Sequence, residues 1–597
     1  MRTLGRRIPR ALGLGVAGAV ALAAPPARAQ LFLDQGDAKL GAQACGGSGC
    51  WTNYARVVDV DTDGDLDLVG VNCGGFFGPV SAQPLTVHLN DGAGTFTDGA
   101  ALFGAPTIAA RQIAFGDIDG DGDVDVALPS AGNAGPDRLY VRGPSGFVDE
   151  AATRLPAGLS SNAGAARFAD VDADGDLDLL VADGYNSGGA PPAHLYRNDG
   201  TGKFVEAVGA LPTSKNGGAN PDDLDVADVD GDFDLDVYVS LHQGPNLLWI
   251  NDGAGTFADA TSALPALSPD ANFHYGPVFC DVDNDGDADL FVDNTADGYQ
   301  EQLLINDGTG QFTDETAARI TGNLGADDNL VACLDFDGDD DLDFVVGALG
   351  PGQERLFAND GTGRFARVDG AFDGPQDPTL WLDFGDLDGD GRLDAFTAQG
   401  EGQPQLERVY LGGMGVVVDT LGPRTRLEAV TTSPSTATPV RFAVRDNAIT
   451  DDGPRIARAW VEFGSDWVPA KWVGGDLYRA VVPPTPVLEL RACAEDLRGN
   501  ITPGCGTGEP TGASSSGAGG ASTSGAGGAP TSGAGGSGTG GLGDDQGPFT
   551  DEGCGCVVGV GARTSDGVSR WGAWLGVALA AWFTRSRRRS PAQSSAR

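Results

Sequence analysis

The residues best placed to do chemistry in this chain are aspartates at alternate positions. Asp59, Asp61, Asp63, Asp65 and Asp67 occupy positions 1, 3, 5, 7 and 9 of a nine-residue loop with Gly64 at position 6. Short carboxylates so spaced can converge on one hard cation. Calcium takes six to eight oxygen ligands, Gly at position 6 supplies the turn, and position 7 contributes through its backbone carbonyl. The segment recurs as Asp117, Asp119, Asp121, Asp123, Asp125; as Asp170, Asp172, Asp174, Asp176, Asp178; and as Asp228, Asp230, Asp232, Asp234, Asp236. It continues as Asp281, Asp283, Asp285, Asp287, Asp289; as Asp335, Asp337, Asp339, Asp341, Asp343; and as Asp386, Asp388, Asp390, Arg392, Asp394. Arg392 at position 7 suits a backbone-carbonyl role and not a side-chain one. Phe233 and Asp340 replace the glycine of copies four and six, where positive φ would strain them, so these two sites are expected to be the weakest. For a single acidic run, solvated surface is the alternative reading. Seven in register, holding 35 of the chain's 84 acidic residues, read as metal loops, and without metal each cluster repels itself.

The loops begin 58, 53, 58, 53, 54 and 51 residues apart, a period that belongs to propellers, solenoids or arrays. Each lies between two apolar runs of strand character, such as Ala166–Ala169 and Leu177–Val181. A third apolar run ends in a hairpin signal at Asn90-Asp91-Gly92, Asn198-Asp199-Gly200, Asn251-Asp252-Gly253, Asn306-Asp307-Gly308 and Asn359-Asp360-Gly361. A fourth opens with Phe96, Phe147, Phe204, Phe257, Phe312 or Phe365. Four short strands per unit, seven times, predict an all-β, seven-bladed β-propeller; a solenoid is the alternative. Either Phe32-Leu33-Asp34 or the degenerate copy at Val417 and Asp419 should complete the last unit. Up-and-down topology puts the acidic loops and the hairpins on one face. The opposite face carries the variable connections, with Phe76, Phe77, Tyr185, Asn186, His242, Phe273, His274 and Tyr275. Such connections are where binding residues are placed on a regular scaffold, although each aromatic could equally pack beneath its own loop.

A net charge of −46 with only 38 Lys plus Arg excludes phosphate-backbone binding as a main activity, so no nucleic-acid partner is expected. Seven bound calcium ions would add about 14 positive charges and leave the surface acidic. No catalytic set stands out. His88, His194, His242 and His274 are scattered, and neither G-x-S-x-G nor H-E-x-x-H occurs. A pair of carboxylates for glycoside hydrolysis could come from Asp222, Asp223 or Asp225 across a propeller channel.

These motifs resemble the FG-GAP and VCBS repeat family, whose integrin α-chain members form seven-bladed propellers with calcium loops between the first two strands. The form G-D-x-D-G-D-G-x-x-D stands at Gly116–Asp125 and Gly385–Asp394, and the resemblance covers residues 31 to about 420. It implies calcium as cofactor. It leaves activity open among adhesins, lectins, matrix proteins and parts of polysaccharide-degrading enzymes. The expected role is recognition of a polysaccharide or extracellular protein by the face opposite the metals; a polysaccharide-degrading enzyme and a passive surface coat are the alternatives.

Arg2, Arg6, Arg7 and Arg10, the apolar run Ala11–Ala24 and Ala27-Arg28-Ala29 read as a signal peptide over residues 1–29. The propeller should occupy 30–422. Alternation in Val440–Val444 and Ala459–Phe463 predicts a small immunoglobulin-like β-sandwich over 423–506, expected as a spacer or stalk. Residues 507–550 are Gly-, Ser- and Ala-rich and read as a disordered linker. Residues 551–597 carry Cys554-Gly555-Cys556, an apolar segment Trp571–Phe583 and Arg585, Arg587, Arg588 and Arg589. The apolar segment falls short of the roughly twenty residues that span a bilayer. The tail resembles MYXO-CTERM sorting signals, which implies trimming and lipid attachment near Cys554 and Cys556; a permanent membrane anchor is the alternative. The protein is thus expected to be exported and attached to the cell surface or outer membrane. Export makes disulfides plausible for Cys45 with Cys50 and Cys493 with Cys505. Strand alternation should turn Cys280 and Cys333 to opposite faces and argues against a bond between them.

Overall fold

The computed structural model describes residues 30–507, apart from 37, 42–43, 75–79, 185–192, 214–219, 243, 267–273, 297, 350–351, 401–402, 451–452 and 487–488. The expected signal peptide, linker and sorting tail lie outside the described residues, as do Phe76, Phe77, Tyr185, Asn186 and Phe273. No helix among the described residues is long and apolar enough to cross a membrane.

The structure is nearly all β. Among the described residues, seven antiparallel four-stranded meanders follow one another, each built as the repeat predicts, the sixth within a larger seven-stranded sheet. Unit one comprises Thr52–Val58, Asp67–Asn72, Thr86–Asn90 and Phe96–Asp98, with the acidic loop between its first two strands. Units two to six begin at Ala114, Ala163, Pro221, Pro277 and Asp328. Unit seven takes Thr379–Gly385, Asp394–Gln399 and Arg408–Gly412 from the end of the repeat region and its outer strand, Phe32–Gly36, from the start. Phe32-Leu33-Asp34 therefore completes unit seven, and Val417 and Asp419 do not. The arrangement is of propeller type.

Burial explains the strand-opening phenylalanines. Phe96, Phe147, Phe204, Phe257, Phe312 and Phe365 are all buried, and Phe32 plays that part in unit seven, stacked on Phe372 at 4.6 Å between centroids. Each contributes about 2–3 kcal/mol of apolar burial.

The hairpin asparagines close the ring. The side-chain amide of Asn198 donates to the carbonyl of Leu177 in its own acidic loop and to that of Ile118 in the preceding unit's loop, at 3.1 and 2.8 Å. Asn251, Asn306 and Asn359 repeat the bond to Val171, Val229 and Val282, each at 2.8 Å. Asn90 of unit one makes it to Leu387 of unit seven, also at 2.8 Å, so first and last units meet through the same device as sequential neighbours.

Residues 424–496 form one six-stranded antiparallel sheet, in the order Arg424–Leu427, Thr438–Arg445, Leu477–Val482, Asp466–Gly474, Ile456–Phe463 and Leu490–Asp496. The expected sandwich is thus a single hydrogen-bonded sheet curled round its own core of Val440, Phe442, Val461 and Ala494. Its two end strands approach where the Thr425 hydroxyl donates to the Ala492 carbonyl at 2.9 Å. A hairpin from this module, Ala448–Thr450 with Gly453–Pro454, adds to the first strand of unit six at Cys333 and Leu334.

Among the described residues three disulfides form. Cys45–Cys50 and Cys493–Cys505 are as expected, while Cys280–Cys333 corrects the expectation against it. Neighbouring units stack face against face, so residues that meet across the seam must lie on opposite faces of their own sheets. Alternation therefore brings this pair together, with Cα atoms 6.7 Å apart. Disulfides in number mark an oxidising compartment.

Candidate metal centres

Each acidic loop is held by its own backbone. In the first, the amides of Thr62 and Gly64 donate to the Asp59 carboxylate at 2.7 and 3.0 Å. Those of Asp63 and Asp65 donate to Asp61 and Asp63 at 3.3 and 3.0 Å. Two left-handed residues make this winding possible. Position 6 has φ of 97° at Gly64 and 102° at Gly175, and also 63° at Phe233 and 72° at Asp340, as anticipated. Position 4 is left-handed too, with φ of 65° at Thr62, 60° at Ala173 and 62° at Asn284, which sequence reasoning missed. The glycines at position 4 in copies two, four, six and seven were the available signal.

Position 9 lies at the bottom of the loop and is buried in all seven copies. Asp67 accepts from the amides of Val60, at position 2, and Asn90, on the third strand, at 3.0 and 2.8 Å. Asp236, Asp289, Asp343 and Asp394 repeat both bonds. Burial, against the pull of these amides, raises the carboxyls of Asp67, Asp125 and Asp289 to about 7, of Asp178, Asp343 and Asp394 to about 8, and of Asp236 to about 9. A carboxylate this desolvated gains most from an adjacent cation.

The loop interiors fit a hard divalent ion. Carboxylate oxygens of Asp59, Asp61 and Asp67, of Asp117, Asp119 and Asp125, and of Asp228, Asp230 and Asp236 lie within 4.8 Å of one another. At position 3, one buried oxygen of Asp119, Asp172, Asp230 and Asp283 has no hydrogen-bond partner. The other oxygen of Asp119, Asp172 and Asp283 is engaged by Arg154, Arg197 and Arg319. An all-oxygen donor set with orphaned buried oxygens is what such an ion satisfies. Position 7 turns its side chain away: a Cβ on Gly92, Gly200, Gly253, Gly308 or Gly361 would come within 2.7 Å of an oxygen of Asp65, Asp176, Asp234, Asp287 or Asp341. The Arg392 guanidinium reaches the Val416 carbonyl at 3.0 Å. Both features leave position 7 only its carbonyl to offer the loop.

The metal face is covered. The 424–496 module docks on it, which replaces the expectation of a stalk. Asp170 and Asp335, each at position 1 of its loop, donate their amides to Val473 and Asn447 of the module at 2.7 Å. Arg426 pairs with Asp228 at 3.1 Å, Arg498 with Asp386 at 2.7 Å, and Arg445 with Asp281, again all at position 1. Arg455 reaches past the loops to Asp383 at 2.7 Å and to the Phe384 carbonyl at 3.2 Å. The two position-6 exceptions are docking points as well. Phe233 packs with Val473 and Leu477 under the Arg426 guanidinium, 4.5 Å from its ring, and Asp340 pairs with Arg424. A cavity of about 240 Å³ remains between the loops of units five and six and the module.

At the opposite face the seven first strands begin around an axial opening lined by Asn53, Tyr54, Arg111, Gln112, Asp223 and Trp381 among others. Several polar groups at and beside it are engaged: Arg167 bonds Gln112 at 2.6 Å and Asp223 at 3.2 Å. Asp222 bonds His242 at 2.6 Å, and Asp225 accepts the Phe279 amide at 3.2 Å. His242 and Tyr275 meet edge to face at 5.5 Å, and His274 is buried with its Nδ1 on the Asn246 side chain at 2.8 Å. Among the described residues, His242, His274 and Tyr275 are thus buried.

Residues 59–128, 170–239, 228–292 and 335–397 match the FG-GAP-like repeat. Cartilage acidic protein 1 of Xenopus tropicalis is 25% identical over 418 residues, covering 63% of this chain and 62% of that protein. The human protein of the same name is 26% identical over 213 residues, covering 32% and 31%. The chain thus spans less than two thirds of the length of these relatives. A solved lectin from Burkholderia pseudomallei aligns over 62% of this chain and 99% of its own, at 14% identity and a TM-score of 0.41.

Proposed function

We propose that this chain, which carries FG-GAP-like repeats, is an exported calcium-binding protein. It recognises a polysaccharide or an extracellular protein through the face opposite its metal loops, and its C-terminal tail attaches it to the cell surface near Cys554 and Cys556. The observation that carries this reading is the docked module. Arginines from residues 424–498 occupy the outer side of loops four to seven, so the metal face is committed to an internal contact. The free surface is then the face whose connections vary in length and composition between units. In this reading calcium is structural. Five aspartates and one Ca²⁺ leave a loop at about −3, and an arginine beside position 1 offsets part of that remainder.

Recognition is favoured over catalysis because Asp222, Asp223 and Asp225, the carboxylates named for glycoside hydrolysis, are each engaged by a separate neighbour. The test incubates the purified chain with a panel of polysaccharides in millimolar calcium, scoring retained polymer and new reducing ends. Retention without release is the expected result; release of fragments would replace the reading with an enzyme.

A further inference from the structure

Between units the fold repeats a small device away from the metal loops. A carboxylate at the start of a third strand accepts a hydroxyl at the start of the next unit's first strand. Glu407 accepts from Thr52 at 2.8 Å, Glu354 from Thr379 at 2.6 Å, and Asp137 from Ser161 at 2.6 Å. Each pair is buried, and a donor meets an acceptor.

The seam between units five and six breaks the pattern. Glu301 holds the carboxylate position, but Asp328 stands where the Glu407 and Glu354 seams have Thr52 and Thr379. Arg355 bridges the two, at 2.6 Å from Glu301 and in contact with Asp328. A third carboxylate, Asp293 on the second strand of unit five, stands one residue beyond the Val292–Gln302 rung of the ladder, as Glu301 does on the third strand. Asp293 is 0% exposed, and neither of its oxygens has a hydrogen-bond partner. Glu301 Oε2 and Asp328 Oδ1 are likewise buried without partners. The seam therefore holds four orphaned carboxylate oxygens and, with every group ionised, a formal charge of −2 from three carboxylates and one guanidinium. Uncompensated charge at such depth is strongly unfavourable. One divalent cation cancels it.

We propose that Asp293, Glu301 and Asp328 bind a further divalent cation, distinct from those of the seven loops and placed towards the opposite face of the ring. The donors are all oxygens, which selects a hard ion of the calcium, magnesium or manganese class. Arg355 positions Glu301 and Asp328 by holding one oxygen of each and leaving the other to the ion. Asp327, exposed beside the cluster and hydrogen-bonded to Asn294 at 3.3 Å, marks the side from which an ion enters. The inference is independent of which ligand the protein recognises.

The test counts ions on the full chain by native mass spectrometry and elemental analysis, after loading with Ca²⁺ and separately with Mn²⁺. Two variants accompany it: Asp293→Asn, which keeps shape and removes charge, and Asp328→Thr, which installs the hydroxyl found at the Glu354 and Glu407 seams. Each variant is expected to bind one ion fewer than wild type with at least one of the two metals. Asp59→Asn, in a repeat loop, serves as an independent reference for the loss of a loop ion. Equal counts in wild type and both variants would overturn the proposal and show that shared protons settle the charge. Asp328→Thr rebuilds a pair the fold already uses, so its count is readable even if Asp293→Asn fails to fold.

Discussion

The two faces of the ring are built from opposite ends of the same strands, and they differ in how much of their chemistry is repeated. On the metal face seven loops share positions 1, 3, 5 and 9, and a second module closes over them with arginines. On the opposite face no two connections are alike, and the polar groups there are tied into local pairs such as Asp222 with His242 and Arg167 with Asp223. Repetition marks the side that holds the fold together. Under the proposed function, variation marks the side left to interact. The greatest dependence on metal should therefore fall on stability, and the greatest dependence on individual side chains should fall on recognition.

Chelation tests the first half of that contrast and has the largest expected effect. Extracellular calcium sites bind at about 10⁻⁴ to 10⁻³ M. At about ten times the dissociation constant each loop adds roughly 1.4 kcal/mol, so seven add on the order of 10 kcal/mol. EDTA should lower the melting temperature of the ring steeply, as followed by calorimetry. An unchanged melt would remove the metal assignment and with it the distinction between the faces.

The arginine contacts come next. Arg445→Ala strands Asp281 at a mostly buried position and is expected to cost about 3 kcal/mol. The loss should appear as a separate, earlier transition of residues 424–506 and as faster tryptic cleavage within them. A single transition at the wild-type temperature would mean that the module does not depend on the metal face.

Position 6 sharpens the same point, because the two exceptions to glycine should respond differently. Asp340→Gly removes left-handed strain and loses only a half-exposed pair with Arg424, so it should be neutral or stabilising by about 0.5 kcal/mol. Phe233→Gly relieves similar strain but empties a buried site packed against Val473 and Leu477, so it should cost about 2 kcal/mol net. Both should raise calcium affinity in their own loops. Equal effects in denaturant melts would mean that Phe233 is there for the loop and not for the docking.

Much of this was legible in the sequence because it is local. The period, the alternate aspartates, the hairpin signals and the strand-opening phenylalanines each lie within one unit. What escaped depends on neighbours that only the ring supplies. Asn198 reads as a turn former, yet its side chain spans two units. Cys280 and Cys333 meet because sheets stack through opposite faces. The docked module left one unread trace: residues 424–506 hold ten basic and ten acidic residues in a chain of net charge −46. A neutral, arginine-bearing segment beside a strongly acidic ring is a partner for that ring. In the sequence Phe233 reads as a defect of its loop, because its packing partners are some 240 residues away.

The smallest effect probes the opposite face alone. His274 is fully buried there, and burial first, with His242 nearby second, lowers its pKa from 6.5 to about 4. The unfolded chain therefore binds a proton that the folded chain refuses between about pH 4 and 6.5. Stability should rise with pH across that window and be flat above it, by on the order of 3 kcal/mol for this group. His274→Asn keeps a partner for Asn246 and removes the titration. In millimolar calcium, denaturant melts of wild type and variant should converge at pH 4.5 and separate at pH 7 only by the packing difference, with the wild type showing the steeper rise. If the two slopes are parallel, the pH dependence belongs to the acidic loops, and the opposite face contributes none of it.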